Sequence, residues 1–359
     1  MHPDFRSAMN QTNNFTEEGI STSTVALVST YFIAATAIGV TLNTLTILTI
    51  AFGNNIGKEV RIQLINLAVA DLIMAAFFPT SMMTDNVLYL PFRGNLAWCA
   101  TSFCISLSAA QASLLSNAAI SIERFIVVYY PFRLAQYGRS QKCIVIALIW
   151  ILSIVPEIFT ALHSEVVEHR NGKSYCKIGQ VRTFKYFQWL STAQCLIPTV
   201  IIIGSYSLIF IKLCVRKKSN VVVNHSSSLN SDAIDKLQLM LAIDALMTLL
   251  AWVPRMMYFL ILSNSKKEWV KNGMSIFIQD ASLAALMSTN VFSTPIIYFI
   301  FNTYFRMDVK MLLRRLFRCQ LSIQSTQKRR TSSKRTLSAL KDSRADTTVK
   351  NIAPIETVD

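Results

Sequence analysis

The chain has 359 residues, of which 52% are hydrophobic and only 15% charged, with a formal net charge of +15. So little polar surface cannot cover a soluble globule of this length, which places the chain among integral membrane proteins. The positive charge does not point to nucleic acid: after residue 301 Lys and Arg outnumber Asp and Glu by 13 to 5, and basic clusters beside a span are typical of a cytoplasmic membrane face.

Residues 1–23 are polar and carry sequons at Asn10-Gln11-Thr12 and Asn14-Phe15-Thr16, which suggests a glycosylated extracellular N-terminus. No basic and apolar leader precedes them, so the first span is expected to act as its own targeting signal. Seven apolar stretches follow at 24–53, 61–89, 96–130, 140–162, 184–216, 232–263 and 271–301, each near the length of about 20 residues that a spanning helix needs. The loops at 54–60, 131–139 and 217–231 carry mostly positive charge, including Arg216-Lys217-Lys218, whereas the opposite loops mix signs, as in Glu165, Glu168, Arg170 and Lys173. The positive-inside bias therefore puts the N-terminus outside and the C-terminus in the cytoplasm.

From Cys99 onward the third stretch has no charge until Glu123-Arg124. A helix without a charged face has lipid or other helices as its solvent. Between the fourth and fifth stretches, Val166-Val167 and Ser174-Tyr175 flank Asn171-Gly172, a dipeptide suited to a tight turn, so this loop is expected to form a β-hairpin. After the seventh stretch, Phe301, Phe305, Val309, Leu312 and Leu316 fall at helical spacing, with Arg306, Lys310, Arg314 and Arg315 on other faces. A basic amphipathic helix over 302–319, lying on membrane lipid, is the expected form. Cys319 just beyond it is a candidate for palmitoylation. Residues 320–359 are polar, low in aromatics and expected to be a disordered cytoplasmic tail. Its KRRTSSKRTLS run sets hydroxyls beside basic residues, where phosphorylation would reverse the local charge.

An ordered set of residues in all seven stretches resembles the rhodopsin-like (class A) G-protein-coupled receptors. Asn43 lies in GVTLN and Asp71 in LAVAD; Cys99, Ser113, Glu123-Arg124-Phe125 and Pro131 mark the third helix. Trp150 marks the fourth, Pro198 and Tyr206 the fifth, Ala251-Trp252-Val253-Pro254 the sixth and Thr294-Pro295-Ile296-Ile297-Tyr298 the seventh. The resemblance implies an all-α, seven-transmembrane helix bundle over 24–301 that binds an extracellular ligand and activates a heterotrimeric G-protein by outward movement of helix six. It implies a switch built from Glu123, Arg124, Tyr206, Trp252, Pro254, Pro295 and Tyr298. Kinases and arrestin would act at the phosphorylated tail. Cys176 of the hairpin faces the compartment where Cys99 ends the third helix, so a Cys99–Cys176 disulfide is expected. The same resemblance brings Ser113 and Asn290 near Asp71 as oxygen donors to a small cation, sodium; the alternative is an Asp71 that is hydrogen-bonded or protonated. Three positions depart from the family pattern: Asp244, Thr248 and Thr294. Asp244 pairs with helix seven or opens onto a water-filled cavity, and the sequence does not choose between them.

The ligand class follows by comparison of positions. Ser106 falls where amine receptors carry an aspartate, which disfavours an amine, and Ser288 falls where visual pigments carry the retinal-binding lysine, so no retinal is expected. The charged hairpin loop looks like that of peptide receptors. With Asp85, Gln188, Gln194, Trp252, Arg255, Gln279 and Asp280 near the vestibule, a neuropeptide-type ligand is favoured over a lipid or a small non-amine metabolite. Arg255 lies within the apolar run WVPRMMYFLIL; it either takes a ligand carboxylate or carbonyl through its planar fork, or pairs with Asp280 or snorkels. A channel or transporter would need a continuous polar lining or broken paired helices, and neither these nor an internal repeat is visible. An enzyme is not expected, because the four histidines and seven cysteines form no catalytic or metal-ligating constellation.

Overall fold

The computed structural model describes residues 22–55, 58–82, 96–130, 138–168, 174–178, 184–220, 228–264 and 273–315. Helices run over Thr22–Phe52 (α1), Lys58–Met82 (α2), Leu96–Tyr129 (α3), Arg139–Leu162 (α4), Phe184–Asn220 (α5), Ser228–Asn264 (α6) and Gly273–Phe301 (α7). A further helix, α8, covers 303–315. Among the described residues seven helices, α1 to α7, are long and apolar enough to cross a membrane.

The apolar stretches locate these helices but not all their ends. α5 continues to Asn220 and α6 starts at Ser228, so the loop expected over 217–231 is shorter than its polarity suggests. Hydropathy marks where lipid ends, whereas a helix is free to run on into water when its residues, here Arg216-Lys217-Lys218, favour helix. In the second span, the described helix stops at Met82, and residues 83–89 of the expected stretch lie outside the described residues.

α3 is the hub. It packs against α2, α4, α5 and α6, while α7 closes the ring against α1, α2 and α6. The apolar window of α3 is 67% buried inside the protein, against 22% for α1, α4 and α5, which turn most of their surface outward. Its inner face is built from small residues, Ala109, Ala110, Ala112, Ser113, Ser116 and Ala118, which let several neighbours approach one axis. Gly39 does the same for α1: a Cβ there would lie 2.8 Å from Ala75 Cβ of α2 and 2.9 Å from Val291 Cγ2 of α7.

Prolines inside the helices leave carbonyls without their usual amide one turn earlier. In α5, Pro198 frees the Gln194 carbonyl, which accepts from Gln111 Nε2 of α3 at 2.7 Å. In α7, Pro295 frees the Val291 carbonyl, and Asn43 Nδ2 of α1 donates to it. Away from these bends, Asn66 of α2 links two further helices: its Nδ2 donates to Ser116 Oγ at 2.8 Å and its Oδ1 accepts from Trp150 Nε1 at 2.9 Å.

Ser164–Glu168 (β1) and Ser174–Ile178 (β2) pair antiparallel, with Val166 opposite Cys176 and Glu168 opposite Ser174. β1 packs against α3. The residues between the strands, including Asn171-Gly172, lie outside the described residues. At the other end of the bundle α8 begins at a break after Phe301, where the Asn302 side chain accepts from the Phe305 amide at 3.0 Å as an N-cap. Its Phe305, Val309 and Leu312 are buried while Arg314 and Arg315 are exposed. Phe301, expected on the same apolar face, is exposed, because the break at Asn302 changes the register; Leu316 lies outside the described residues. Asp308 pins α8 to the end of α1, accepting from the Asn54 and Asn55 amides at 3.3 and 3.2 Å and from Asn55 Nδ2 at 2.6 Å.

Replacing Gly39 by alanine puts a methyl group inside van der Waals contact with Ala75 and Val291. The expected outcome is a loss of about 1–3 kcal/mol, read as a lower thermal midpoint of the purified protein. An unchanged midpoint would mean that α1 is not held this close to α2 and α7.

Candidate functional site

Polar side chains from α2, α3, α6 and α7 converge in the middle of the bundle. Asp71, fully buried on α2, accepts from Ser113 Oγ of α3 at 2.6 Å through one oxygen. Its second oxygen has no hydrogen-bond partner among the described residues. Asn290 of α7 places its Nδ2 3.5 Å from Ser113 Oγ and its Oδ1 3.0 Å from Thr248 Oγ1 of α6. Asn117 Nδ2 reaches Thr248 Oγ1 at 3.2 Å. Ser113, Asn290 and Asp71, separated in sequence, thus meet as the family resemblance implies. The network reaches further than expected, because Thr248 stands where a phenylalanine is common and supplies a hydroxyl that ties α6 to both α3 and α7. Asn117 was missed by the sequence reading; its helical offset of one turn from Ser113 was the available signal.

Toward the α8 end, Glu123 and Arg124 are both about 5% exposed. The expected pairing between them is weak in geometry: Arg124 Nη2 lies 4.0 Å from Glu123 Oε2. The close partner of Glu123 is Lys142 of α4, whose Nζ is 2.7 Å from Oε1. Adjacent residues on a helix do not face one another, so a neighbouring helix supplies the better counter-ion. Lys142 was missed, although its place one turn into the fourth span, at the Arg124 end, makes it available. Its burial is compensated by this ion pair, which holds α4 to α3. Tyr206 of α5 packs on both main core clusters, and Tyr298 of α7 is buried with its ring 6.1 Å from Phe305 of α8 in an edge-on arrangement. The Tyr298 hydroxyl has no hydrogen-bond partner among the described residues.

Toward the β1–β2 end, Ser106 is buried and shares a hydrogen bond with Ser81 of α2 at 3.1 Å. Ser288 of α7 lies 3.0 Å from the Tyr31 hydroxyl, which also donates to the Ala285 carbonyl at 2.7 Å. Trp252 is 7% exposed, one turn from Thr248, and its indole Nε1 has no partner among the described residues. Gln194 is half-buried, with its carbonyl taken by Gln111 and its Nε2 unpartnered. Arg255 is half-buried on α6, next to Pro254. Gln188 lies on α5 and Gln279 and Asp280 on α7, but their side chains, like that of Cys176 on β2, are outside the described residues, as are Asp85, Asn10, Asn14, Pro131 and Cys319 altogether. Cys99 is disulfide-bonded, whereas Cys104, Cys143, Cys195 and Cys214 are free. Glu157 of α4, a second acid the sequence reading passed over, is 6% exposed and accepts from Thr160 Oγ1 at 3.0 Å. Its signal was plain: one acid in the apolar run VPEIFTAL.

Comparison with known proteins agrees with this arrangement. Residues 42–298 match the model of the family described as 7 transmembrane receptor (rhodopsin family). The Substance-K receptor of Mus musculus is 24% identical over 81% of this chain and 76% of its own length. A green-sensitive opsin of Gallus gallus is 25% identical over 78% of each. The growth hormone secretagogue receptor type 1 of Oryctolagus cuniculus is 25% identical over 62% of each.

The geometry around Glu123 sets a measurable preference between its two neighbours. In a double-mutant cycle on unfolding, Glu123→Gln with Lys142→Met is expected to show a coupling of about 1 kcal/mol or more, larger than that of Glu123→Gln with Arg124→Met. Equal couplings, or a stronger one to Arg124, would contradict the pairing seen here.

Proposed function

Because this chain belongs to the rhodopsin family of seven-transmembrane receptors, which are receptors and not enzymes, we propose that it binds an extracellular peptide and passes the signal to a heterotrimeric G-protein by an outward movement of α6. Its apolar helices and family make it a multi-pass plasma-membrane protein. In this reading the β1–β2 end faces outside, the Arg124 and α8 end faces the cytoplasm, and Asn10 and Asn14 carry glycans. Cys319 anchors the end of α8 to lipid, and the tail beyond it meets kinases and arrestin.

The observation that carries the reading is the way α6 is held. Its inner face packs on the core through Met240, Leu241, Ala245, Ala251 and Trp252, and within that apolar contact one shared hydroxyl, Thr248, supplies the hydrogen bonds to α3 and α7. Pro254 sits one turn and a half further along the same helix and removes a backbone bond there. A segment tied by few bonds beside a bend is suited to two packings separated by a few kcal/mol, which a ligand biases by binding one better. Arg124, at the α8 end of the hub helix, is the charged group that movement of α6 would uncover for a G-protein.

Three features support a peptide as the ligand. The paired strands β1 and β2 lie against the end of α3, Ser106 offers no charge to an amine, and two of the relatives are named for substance K and for a growth hormone secretagogue. Cys176 is the proposed partner of Cys99: four other cysteines are free, and Cys319 follows α8 at the opposite end. Retinal has no lysine to hold it at Ser288. The residues at Asp71 fit a sodium ion, since Asp71 keeps one oxygen without a partner beside Ser113 and Asn290. The ion would supply the positive charge that a buried carboxylate needs.

The test is agonist-stimulated nucleotide exchange on G-protein heterotrimers, with a peptide library screened on membranes containing the full chain. A peptide that drives exchange is expected, with Arg255→Ala shifting its potency at least about tenfold while surface expression is kept, and Arg255→Lys shifting it less. Exchange driven only by lipids or small metabolites would overturn the peptide reading. Full potency in Arg255→Ala would remove Arg255 from the ligand site.

A further inference from the structure

Glu157 of α4 has no part in the reading above. The buried residues of α4 are Lys142, Ile149, Ser153, Glu157 and Thr160, which fall on one stripe of the helix. Ile154, Val155, Ile158 and Phe159, on its other faces, are exposed. The acid therefore points into the protein, where it is 6% exposed. Thr160 Oγ1 donates to its Oε2 at 3.0 Å, and no cation among the described residues pairs with it. Two turns further along, at Ser164, the chain becomes β1. Glu157 thus lies about 10 Å below that end of the bundle.

Contacts deeper in the bundle fix what faces it on α3. Lys142 meets Glu123 at 2.7 Å, and Asn66 joins Trp150 to Ser116 through bonds of 2.9 and 2.8 Å. Between these two points α4 advances as α3 runs back, almost residue for residue. Continued at the same rise, the level of Glu157 falls at Ser108 and Ala109 of α3. Val145 and Ile149 pack with Ala112, Leu115 and Ala119, which marks the stripe of α3 turned toward α4. Ser108 continues that stripe one turn beyond Ala112. It is 5% exposed, and its Oγ has no nitrogen or oxygen partner among the described residues; the polar group beside it is the Cys104 thiol. One turn deeper, Gln111 holds the Gln194 carbonyl of α5, and Gln194 Nε2 is likewise unpartnered.

A carboxylate taken out of water needs a positive charge, which hydroxyl groups alone do not supply. None of the described side chains supplies it, and an isolated acid inside a span marks a place where function meets a charge. We propose that Glu157, with Ser108 and Thr160 around it, is a subsite for a lysine or arginine side chain of a peptide ligand, entering between α3 and α4 from the β1 end. The inference rests on the peptide reading above and adds the charge of the peptide. A basic side chain matches the depth, because its apolar stem lies along the seam while its head reaches the acid. Ser108 Oγ accepts an N–H of that head beside the carboxylate. A peptide's own amino terminus has no such stem and is disfavoured by the same depth.

Peptide-stimulated nucleotide exchange on membranes containing the full chain tests this, with one peptide library made in three forms. The first form is unmodified, the second has every Lys and Arg replaced by norleucine, and the third is N-acetylated. For the native protein the norleucine form is expected to lose at least about tenfold in potency, and acetylation to change little. Glu157→Gln keeps the size of the side chain and an acceptor for Thr160. It is expected to abolish the difference between the first two forms at unchanged surface expression. Ser108→Ala, which leaves the acid in place, is expected to narrow the same difference and serves where Glu157→Gln does not reach the surface. The inference is overturned if norleucine peptides match unmodified ones on the native protein, or if either variant keeps the full native preference. Potency lost on acetylation alone would overturn the side-chain assignment. Exchange driven equally by neutral peptides sinks this inference and leaves the peptide reading standing, whereas exchange driven by no peptide sinks both.

Discussion

Inside a bilayer no water is at hand to satisfy a polar atom, so a carbonyl that a proline frees is stabilised when a side chain of another helix answers it. Asn43 answering the Val291 carbonyl at Pro295, and Gln111 answering the Gln194 carbonyl at Pro198, are the clearest cases. Each is a bend in one helix corrected by a side chain from another. The result is that the bends are not free hinges: α1 holds the bend of α7, and α3 holds the bend of α5. Among the described residues no such partner is seen for the carbonyl one turn before Pro254 in α6, and the side chains around that bend are Trp252 and Arg255. The prolines of α2 (Pro79) and α4 (Pro156) likewise show no cross-helix partner among the described residues, so it is α5 and α7 that are set apart, by the ties at Pro198 and Pro295.

The same constraint explains why α3 is the hub. Its small inner residues bring α2, α4, α5 and α6 within reach of one set of short polar side chains: Ser113 and Ser116 meet Asp71 and Asn66 of α2, and Asn117 meets Thr248 of α6. A displacement of α6 is then felt first at Thr248 and Asn117, next at Asn290, and through Ser113 at Asp71. Two turns beyond Asn117 the same face of α3 leads to Arg124, while Glu123 turns toward Lys142 of α4. Coupling between the two ends needs no long-range wire, only a shared helix whose polar contacts have alternative partners. The Glu123–Lys142 ion pair adds a fixed point, because it anchors α3 to α4 and leaves Arg124 only loosely engaged.

Much of this was legible in the chain. Seven apolar stretches located the seven spans, and Asp71, Ser113 and Asn290 were expected together and meet. The amphipathic pattern after Phe301 marked α8, with Phe305, Val309 and Leu312 turned inward. What escaped were partners supplied across helices. Lys142 as the counter-ion of Glu123, and Gln111 as the donor to a carbonyl freed by Pro198, depend on which helix lies beside which and at what depth. One sequence contains no direct record of that. Helix ends escaped for a different reason: α5 and α6 run past their apolar spans into polar residues, because hydropathy marks where lipid ends and not where helical hydrogen bonding does. Asp244 stood out as a charge among aliphatic residues, but whether it had a partner was a matter of geometry alone.

The central claim is that α6 changes its distance from the α3–α4 unit when a G-protein engages. Spin labels at Cys143 of α4 and at an exposed position on the same end of α6, Leu239→Cys, read this distance directly once Cys214, the other exposed cysteine among the described residues, and Cys319 are replaced by serine. Pulsed electron-spin distance measurement without and with a nucleotide-free heterotrimer is expected to show the population shift to a distance longer by about 5 Å or more, the scale of a one-turn displacement. A single distance, unchanged by any heterotrimer that binds the chain, would contradict the account.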